Sequence, residues 1–313
     1  MAQTIREAYG NALVKYGKDD SRVVVLDADV ASSTKSGIFA KACPERFYNV
    51  GIAEANMVAI AAGFASEGKV PFVNTFAAFL ATIGILPARA LGAYSNLNIK
   101  LMGAYGGMSD AYDGTTHHAL EDLSIMRAIP NMQVMVASDE VQTDWLVKNA
   151  IETQGPMYIR LSRDVMPSLY SADEKFEAGK GKVIREGKDV TIIACGILCG
   201  FSIQAAEILA AEGISARVVD MFSLKPIDSE LINRCAKETG AIVTAEEHNV
   251  LGALGGAVAE VLVKGDYPVP VEMIGLQDVF SQTGDYQSLL EHYGLTPKAI
   301  AEKVRAVLKR KKA

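Results

Sequence analysis

Glu54 is the residue whose position most directly suggests chemistry. It stands alone among apolar residues in the stretch RFYNVGIAEANMVAIAAGF, residues 46 to 64, where an extended segment turns into a helix of small residues. A carboxylate is costly to bury without a partner, so this acid indicates a cleft that uses it. The alternative is an exposed first helical turn, where the helix dipole favours a negative charge. The residue types alone leave both interpretations open.

Further polar and aromatic residues follow the predicted strands of the first half of the chain. In open parallel sheets, ligands bind beyond the carboxyl ends of the strands, so the residues after each strand are candidates for one common site. They are Asp27, Asp29, Ser32 and Ser33 after RVVVL, Thr75, Phe76 and Phe79 after VPFVN, the run AYGGMSDAYDGTTHH after IKLMG, and Ser162, Arg163 and Asp164 after MYIRL.

Most of these candidates also have a purely structural interpretation. Asp27 and Asp29 could be loop residues or helix caps. Arg163 could be a solvated surface charge, and Phe76 and Phe79 could belong to the core. The histidine pair that ends the glycine-rich run follows several glycines, which favour a loop that approaches another group closely.

The elements that must position these residues follow an α/β pattern. Strands are expected at 22–26, 70–74, 99–103, 133–137 and 157–161, because apolar runs without alternation are typical of parallel strands covered on both faces. A helix is expected at 140–152, with Ser138 or Asp139 as its cap. After the polar stretch SLYSADEKFEAGKG the alternation resumes, with strands expected at 190–194, 216–221, 241–245 and 271–275.

This pattern predicts two doubly wound α/β domains. The first, with a mostly parallel sheet, is expected at residues 1–170. A linker is expected at 171–185, and a smaller C-terminal α/β domain at 186–313.

Composition and charge exclude several classes of function. The 313 residues are 50% hydrophobic and 22% charged, with a net charge of -6, so nucleic acid and anionic membrane surfaces are not expected as main partners. Residues 70–88 carry no charge, but their prolines and Asn74 favour a strand and a buried helix over a membrane span.

The four cysteines and four histidines show no metal-site spacing, and the cysteines are expected to be reduced core thiols. The first residues do not resemble a secretion signal, so a cytoplasmic location is expected.

The ordered motifs of this sequence resemble those of transketolases and the similar deoxyxylulose-phosphate synthases. In the first half these motifs are RFYNVGIAEANMVAIAAGFA, VPFVNTFAAF, DGTTHHALEDLSIMRAIPNMQV and IRLSR, which look like the pyrimidine-binding domain of that family. In the second half DMFSLKPID, VTAEEHNVLGALGGAVAE and IGLQDVF resemble the transketolase C-terminal domain. The resemblance covers nearly the whole chain.

One pair of family motifs does not occur in this sequence. Related enzymes hold the diphosphate of thiamine diphosphate through Mg²⁺, with a GDG motif followed by an asparagine pair, and this sequence contains neither GDG nor NN. The resemblance therefore implies the C-terminal subunit of a split transketolase. A separate partner subunit with the GDG and NN motifs would hold the Mg²⁺, and the complex is expected to be a dimer of heterodimers that acts on sugar phosphates.

The resemblance implies roles for individual residues around the cofactor and the donor sugar. Glu54 matches the family glutamate that bonds a ring nitrogen of the cofactor's aminopyrimidine and favours its imino tautomer. Phe76 and Phe79 match aromatic residues that pack on this ring. His117 matches a histidine that contacts the donor sugar near the reacting carbons, and Asp113 matches an acid that binds a substrate hydroxyl.

The resemblance also implies a binding site for the substrate's phosphate. Arg6, Ser33 and Arg163 fall on the positions that hold it, which suits charge-assisted bonding to an oxyanion. Asp29 matches an acid that lines the same cleft. Tyr105 stands where the family has a second phosphate-binding histidine, so phosphate binding is expected to be weaker or the substrate to have a different shape.

Two further departures from the family pattern concern the same motifs. Tyr112 replaces the glutamate of the family's GED sequence, and GIAEANM replaces GIREHAM.

Two alternative functions remain open. One alternative is the beta subunit of a 2-oxo-acid dehydrogenase or a deoxyxylulose-phosphate-synthase-like enzyme, although the block DGTTHHALEDLSIMRAIPN fits transketolase better. The other is a non-catalytic regulatory subunit, which the presence of Glu54 and His117 disfavours.

Overall fold

A computed structural model describes residues 4–164 and 168–311 of the chain. Within these residues the strands form a seven-stranded sheet and a five-stranded sheet. The first sheet contains β1 (Val23–Asp27), β2 (Phe47–Asn49), β3 (Val70–Phe76), β4 (Lys100–Ala104), β5 (Gln133–Val136), β6 (Met157–Arg160) and β10 (Ser223–Lys225). The second contains β7 (Lys182–Arg185), β8 (Val190–Ala194), β9 (Ala216–Asp220), β11 (Ile242–Asn249) and β12 (Val271–Leu276).

The order of the strands in space differs from their order in the chain. The first sheet runs β10-β5-β6-β4-β3-β1-β2 and the second β12-β11-β8-β9-β7. Strand β10 pairs antiparallel with β5, and β7 pairs antiparallel with β9, while the other neighbours are parallel. Parallel neighbours require crossover connections, which helices provide here.

The helices of the first domain interleave with its strands. They are α1 (Ile5–Gly17), α2 (Ala31–Thr34), α3 (Gly37–Ala42), α4 (Glu54–Ser66), α5 (Ala77–Thr82), α6 (Ile85–Pro87), α7 (Asp122–Ala128) and α8 (Glu140–Glu152), with a 3₁₀ turn at Pro44–Arg46 and a π-helical segment at Ala88–Ala93. The second domain adds α9 (Leu198–Ala210), α10 (Ser229–Thr239), α11 (Leu254–Lys264), α12 (Tyr286–His292) and α13 (Pro297–Lys311).

The predicted fold class of two α/β domains is confirmed. The central strands β1, β4, β6, β8 and β9 are buried along their whole length, which explains their continuous apolar composition. Helix α8 has the predicted bounds, and the Asp139 carboxylate accepts a hydrogen bond from the Gln142 N–H at its start.

Three short strands were not predicted from the sequence. Strand β2 is exposed or half-buried, and β7 is half-buried throughout, so neither has the apolar run of a central strand. Strand β7 also occupies the end of the range 171–185 that was expected to be a linker. Strand β10 follows β9 in the chain, yet it pairs with β5 of the first domain. A strand from the second half of the chain therefore forms one edge of the first-domain sheet.

The uncharged stretch at residues 70–88 forms β3, α5 and α6 and ends at Ala88, the first residue of the π-helical segment. Among the residues that the structure describes, no helix has the length and apolar character needed to cross a membrane.

Candidate active site

Glu54 is the first residue of α4 and is nevertheless buried, with 5% of its surface exposed. Helix α4 begins after Gly51, whose φ is +73°. The Thr75 hydroxyl, at the end of β3, donates a long hydrogen bond of 3.4 Å to Glu54 Oε1. Glu54 therefore lies in the first helical turn, as one interpretation expected, but it is buried there and not exposed.

Four rings form an aromatic cluster next to Thr75. The rings of Phe76 and Phe79 lie 5.8 Å apart at 46°. The imidazole of His117 stands edge-on to Phe79 at 5.0 Å and lies 6.0 Å from Phe76, while Tyr105 lies 4.7 Å from Phe76. Phe76, Phe79 and His117 are half-buried, so these rings keep part of their surface exposed and do not belong to the fully buried core.

Arg6 connects the start of α1 to two of the strand-end loops. Its Nη1 donates to the backbone oxygen of Ser33 at 2.6 Å and to the Tyr105 hydroxyl at 2.8 Å, and its Nε donates to the backbone oxygen of Arg163 at 3.2 Å. The guanidinium carbon lies 4.8 Å from the centre of the Tyr105 ring. The structure thus brings together Tyr105 and the three residues that the resemblance assigned to phosphate binding, Arg6, Ser33 and Arg163, although Ser33 uses its carbonyl toward Arg6.

Arg163, like Arg6, lies close to the Tyr105 ring, and it is paired with a buried acid. Its Nη1 is 3.0 Å from Asp110 Oδ1, and its guanidinium carbon is 5.2 Å from the Tyr105 ring centre. Burial, together with the nearby Asp113 carboxyl, raises the pKa of Asp110 to about 6, whereas Arg163 and His117 act in the opposite direction. Arg163 is therefore an ion-paired cleft residue and not a freely solvated charge.

The glycine-rich loop between β4 and α7 carries both site residues and structural ones. Asp113 and Tyr112 are exposed. His118 is buried, and its Nδ1 is hydrogen-bonded to the Ser281 hydroxyl of the second domain. Burial lowers the pKa of His118, which indicates a neutral residue that anchors the loop beneath His117.

The two aspartates after β1 have different environments. Asp27 is fully buried and accepts hydrogen bonds from the Thr34 and Ser36 hydroxyls, both at 2.8 Å, and from the Val30 N–H, so it stabilises this loop. Asp29 is exposed, has a φ of +66°, and accepts a hydrogen bond of 2.7 Å from Asn49. None of the hydrogen bonds of the described residues joins Asp29 to the Arg6 and Arg163 group.

The arrangement fits the aminopyrimidine half of thiamine diphosphate. A buried carboxylate with a single long side-chain hydrogen bond can accept or donate a proton at a ring nitrogen, and half-buried aromatic side chains provide apolar walls for a flat ring. No group of three or more His, Cys, Asp or Glu side chains in the described ranges is placed to hold a metal ion.

Comparison with known families agrees with this geometry. The family model described as the transketolase pyrimidine-binding domain matches residues 1–168, and the model described as the transketolase C-terminal domain matches residues 179–300. The chain belongs to the transketolase family.

Individual relatives match this transketolase chain over almost their whole length. A 6-deoxy-6-sulfo-D-fructose transketolase subunit from Clostridium sp. is 40% identical, over 98% of this chain and 95% of the relative. One of the subunits of an apulose-4-phosphate transketolase from Phocaeicola vulgatus is 37% identical, over 95% of each chain. A solved split-gene transketolase, described as an inactive β4 tetramer, is 50% identical with a TM-score of 0.91 and covers 99% of this chain and 100% of that one.

Sequence reasoning missed one residue that the structure places beside Arg163. Asp110 was part of the glycine-rich run but was not singled out, because an aspartate among glycines and serines looks like a solvated turn residue. The structure shows it 2% exposed and paired with Arg163. The family motif could not have identified it, since its partner lies more than fifty residues away in the chain.

Proposed function

We propose that this chain is the pyrimidine-side subunit of a thiamine-diphosphate-dependent transketolase that transfers a two-carbon ketol unit from a ketose phosphate to an aldose or aldose phosphate. The observation that carries the proposal is the buried Glu54 carboxylate beside the half-buried Phe76 and Phe79 rings, at the same strand ends as the Arg6 and Arg163 group.

The cofactor, when bound, would supply a carbon nucleophile and, in its cationic ring, an electron sink for the negative charge that develops on the two-carbon fragment. The residues of this chain bind and orient. Glu54 holds a proton at the ring nitrogen of the aminopyrimidine, and Phe76 and Phe79 pack against that ring and exclude water. His117, in contact with Phe79, points to the donor sugar near the reacting carbons, and Asp113 accepts a hydrogen bond from a substrate hydroxyl.

The anionic end of the sugar is assigned to the group formed by Arg6, Ser33, Tyr105 and Arg163. Guanidinium groups suit phosphate oxygens because several N–H donors point the same way. Arg6 Nη2 and Arg163 Nε and Nη2 make none of the side-chain hydrogen bonds described above, so both arginines keep donors for a ligand. Asp29, further along the cleft, is proposed to face the sugar or the cofactor.

The partner is proposed to be a second polypeptide that carries the GDG and NN motifs and holds Mg²⁺ and the diphosphate. Relatives described as transketolase subunits, which this chain matches over almost their full length, support this proposal. Large apolar side chains just before α4, or on segments that contact it, are exposed and are suited to a protein interface. They are Ile52, Leu86 in α6, and Tyr94 directly after the π-helical segment, with 83%, 69% and 86% of their surface exposed. We propose a dimer of heterodimers in the cytoplasm, where the four buried free cysteines remain reduced.

Reconstitution tests this proposal. The chain is co-expressed with a candidate partner that contains GDG and NN, and ketol transfer is measured over a panel of sugar phosphates with and without thiamine diphosphate and Mg²⁺. We expect activity with both chains and the cofactor, and none with either chain alone. Activity with 2-oxo acids instead of sugars would replace the proposal by a 2-oxo-acid dehydrogenase subunit, and a complex without activity on either class would favour a regulatory subunit.

A further inference from the structure

Asp110 places a buried negative charge where the proposed function requires an anion-binding site. It is 2% exposed, and its Oδ1 lies 3.0 Å from Arg163 Nη1. Its second oxygen, Oδ2, is buried and has no hydrogen-bond partner among residues 4–164 and 168–311. Because this carboxylate is buried, it cannot rotate out into the solvent when another anion binds. A ligand that binds Arg163 therefore lies close to a negative charge.

The charges around Tyr105 are not those of a strongly cationic pocket. Arg6 and Arg163 both lie against its ring. Two carboxyl groups lie close to these two cations: Asp110 is paired with Arg163, and burial raises the pKa of Asp164 while the nearby Arg163 and Arg6 act to lower it. These two carboxyl groups therefore offset the two guanidinium groups.

Asp110 is ionised at neutral pH even though its environment opposes the charge. Burial and Asp113 raise its pKa, while Arg163 and His117 lower it, and the result is about 6. At pH 7 to 8 the group thus remains an anion that occupies part of the Arg163 guanidinium. A phosphate monoester, with a second pKa of about 6, is mostly a dianion in the same range.

We infer that Asp110 is a specificity-determining residue that competes with the anionic end of the sugar for Arg163, and so lowers the preference of the site for a phosphate dianion over a singly charged or uncharged group. The inference rests on the ketol transfer proposed above and names the substrate class that this site admits. The kcat/KM values for sugars with a phosphate, a singly charged group or a free hydroxyl at that end then differ less than they would if the two arginines alone set the preference.

The kinetic test compares one ketose with and without its phosphate in the reconstituted enzyme. Asp110→Asn keeps the size of the side chain and removes the charge. We expect the ratio of kcat/KM for the phosphorylated over the unphosphorylated ketose to rise about tenfold, the effect of one charge-assisted contact. An unchanged or smaller ratio would overturn the inference, and so would equal losses with both substrates, which are the mark of a purely structural residue.

The matched control removes a negative charge far from the cleft. Asp144 accepts hydrogen bonds from Lys15 and Tyr16 on the outer side of the first domain. Asp144→Asn should leave the ratio of the two kcat/KM values unchanged. A rise as large as that of Asp110→Asn would mean that overall charge, and not the competition at Arg163, sets the preference.

A binding measurement separates this inference from the proposed function. Inorganic phosphate is titrated into the full-length chain and into its Asp110→Asn and Asp110→Ser variants, each checked for a native circular dichroism spectrum. We expect phosphate to bind about tenfold more tightly to the variants, and equal or weaker binding to both variants would overturn the role of Asp110. If the reconstituted complex transfers no ketol unit from any sugar, the proposed function fails, and the phosphate titration still decides whether Asp110 competes for Arg163.

Discussion

The Glu247 carboxylate, on β11 of the second domain, accepts a hydrogen bond of 2.7 Å from the backbone N–H of Met108, in the first-domain loop that carries His117. The Tyr286 hydroxyl donates to the same oxygen at 2.9 Å. Gly107 has a φ of +68°, and a Cβ at this position would lie 2.1 Å from the carboxylate carbon of Glu247, so the backbone approaches this acid as closely as only glycine permits. The second domain thereby holds the loop that presents the site residues.

Substitution of Glu247 by glutamine should flatten the pH dependence of stability. Burial raises the pKa of Glu247 to about 7, although Arg160 and the hydrogen bonds from Met108 and Tyr286 act in the opposite direction. Because the folded state holds a proton that the unfolded chain releases near pH 4.5, this contribution to stability is fully present below that pH and is lost as the pH rises to about 7. In Glu247→Gln the side-chain carbonyl still accepts both hydrogen bonds, and no ionisation occurs.

Urea denaturation at pH 5, 6, 7 and 8 measures this difference. We expect the wild-type free energy of unfolding to fall by an extra amount on the order of 1 kcal/mol per pH unit between 5 and 7, relative to Glu247→Gln. Glu212→Gln, at an exposed carboxylate paired with Arg305, serves as the control and should keep the wild-type slope. Parallel curves for the wild type and Glu247→Gln would show that Glu247 does not titrate in this range.

Asp220 forms a second contact between the domains, and its removal should be costly. This fully buried carboxylate at the end of β9 accepts hydrogen bonds from the side chains of Ser138, Gln142 and Tyr170, at 3.1, 2.9 and 2.7 Å. Asp220→Ala leaves three donors without an acceptor, so we expect a loss of about 3 kcal/mol or more in the free energy of unfolding. Chemical denaturation checks this value.

Asp220→Asn provides the comparison for this prediction. The asparagine keeps one acceptor oxygen and should recover part of the loss. If the alanine variant were as stable as the wild type, the three hydrogen bonds to Asp220 would contribute no net stability.

The sequence predicted the central strands well because burial on both faces leaves a local signature. Strand β8, for example, is buried throughout and was expected at the residues where it is found. Strand β10 has no such signature, since its three residues gain their place through antiparallel pairing with β5 of the other domain. Pairing between segments distant in the chain is a tertiary property that periodicity does not encode.

The site shows the same limit. Motifs of the family resemblance predicted one site for Glu54, Phe76 and His117, and the rings of Phe76 and His117 lie 6.0 Å apart. The motifs did not reveal that Asp110 is buried against Arg163, because the two residues are far apart in the chain and meet only in the folded structure. Local composition assigns an aspartate in such a loop to solvent.

Arg163→Ala should weaken the binding of phosphorylated substrates more than that of unphosphorylated ones. The side chain is 39% exposed and offers its remaining N–H donors to the cleft, so its loss removes charge-assisted bonds to phosphate. In the reconstituted enzyme we expect KM for a ketose phosphate to rise about tenfold or more, while kcat/KM for the unphosphorylated ketose changes little. Arg22→Ala, at an exposed ion pair with Asp20, should change neither, and equal losses on both substrates would count against a phosphate-binding role for Arg163.

Glu54→Ala should abolish most of the turnover and leave the subunits assembled. The carboxylate is buried at the start of α4, and Thr75 contributes one long hydrogen bond to it, so its removal costs proton transfer more than structure. We expect kcat in the reconstituted enzyme to fall at least about 100-fold, with an unchanged elution volume of the complex in size-exclusion chromatography. Glu67→Ala, at the exposed end of the same helix, should keep wild-type kcat. Near-normal ketol transfer by Glu54→Ala would eliminate this carboxylate as the proton-holding group, and a dissociated complex would instead assign it to the subunit interface.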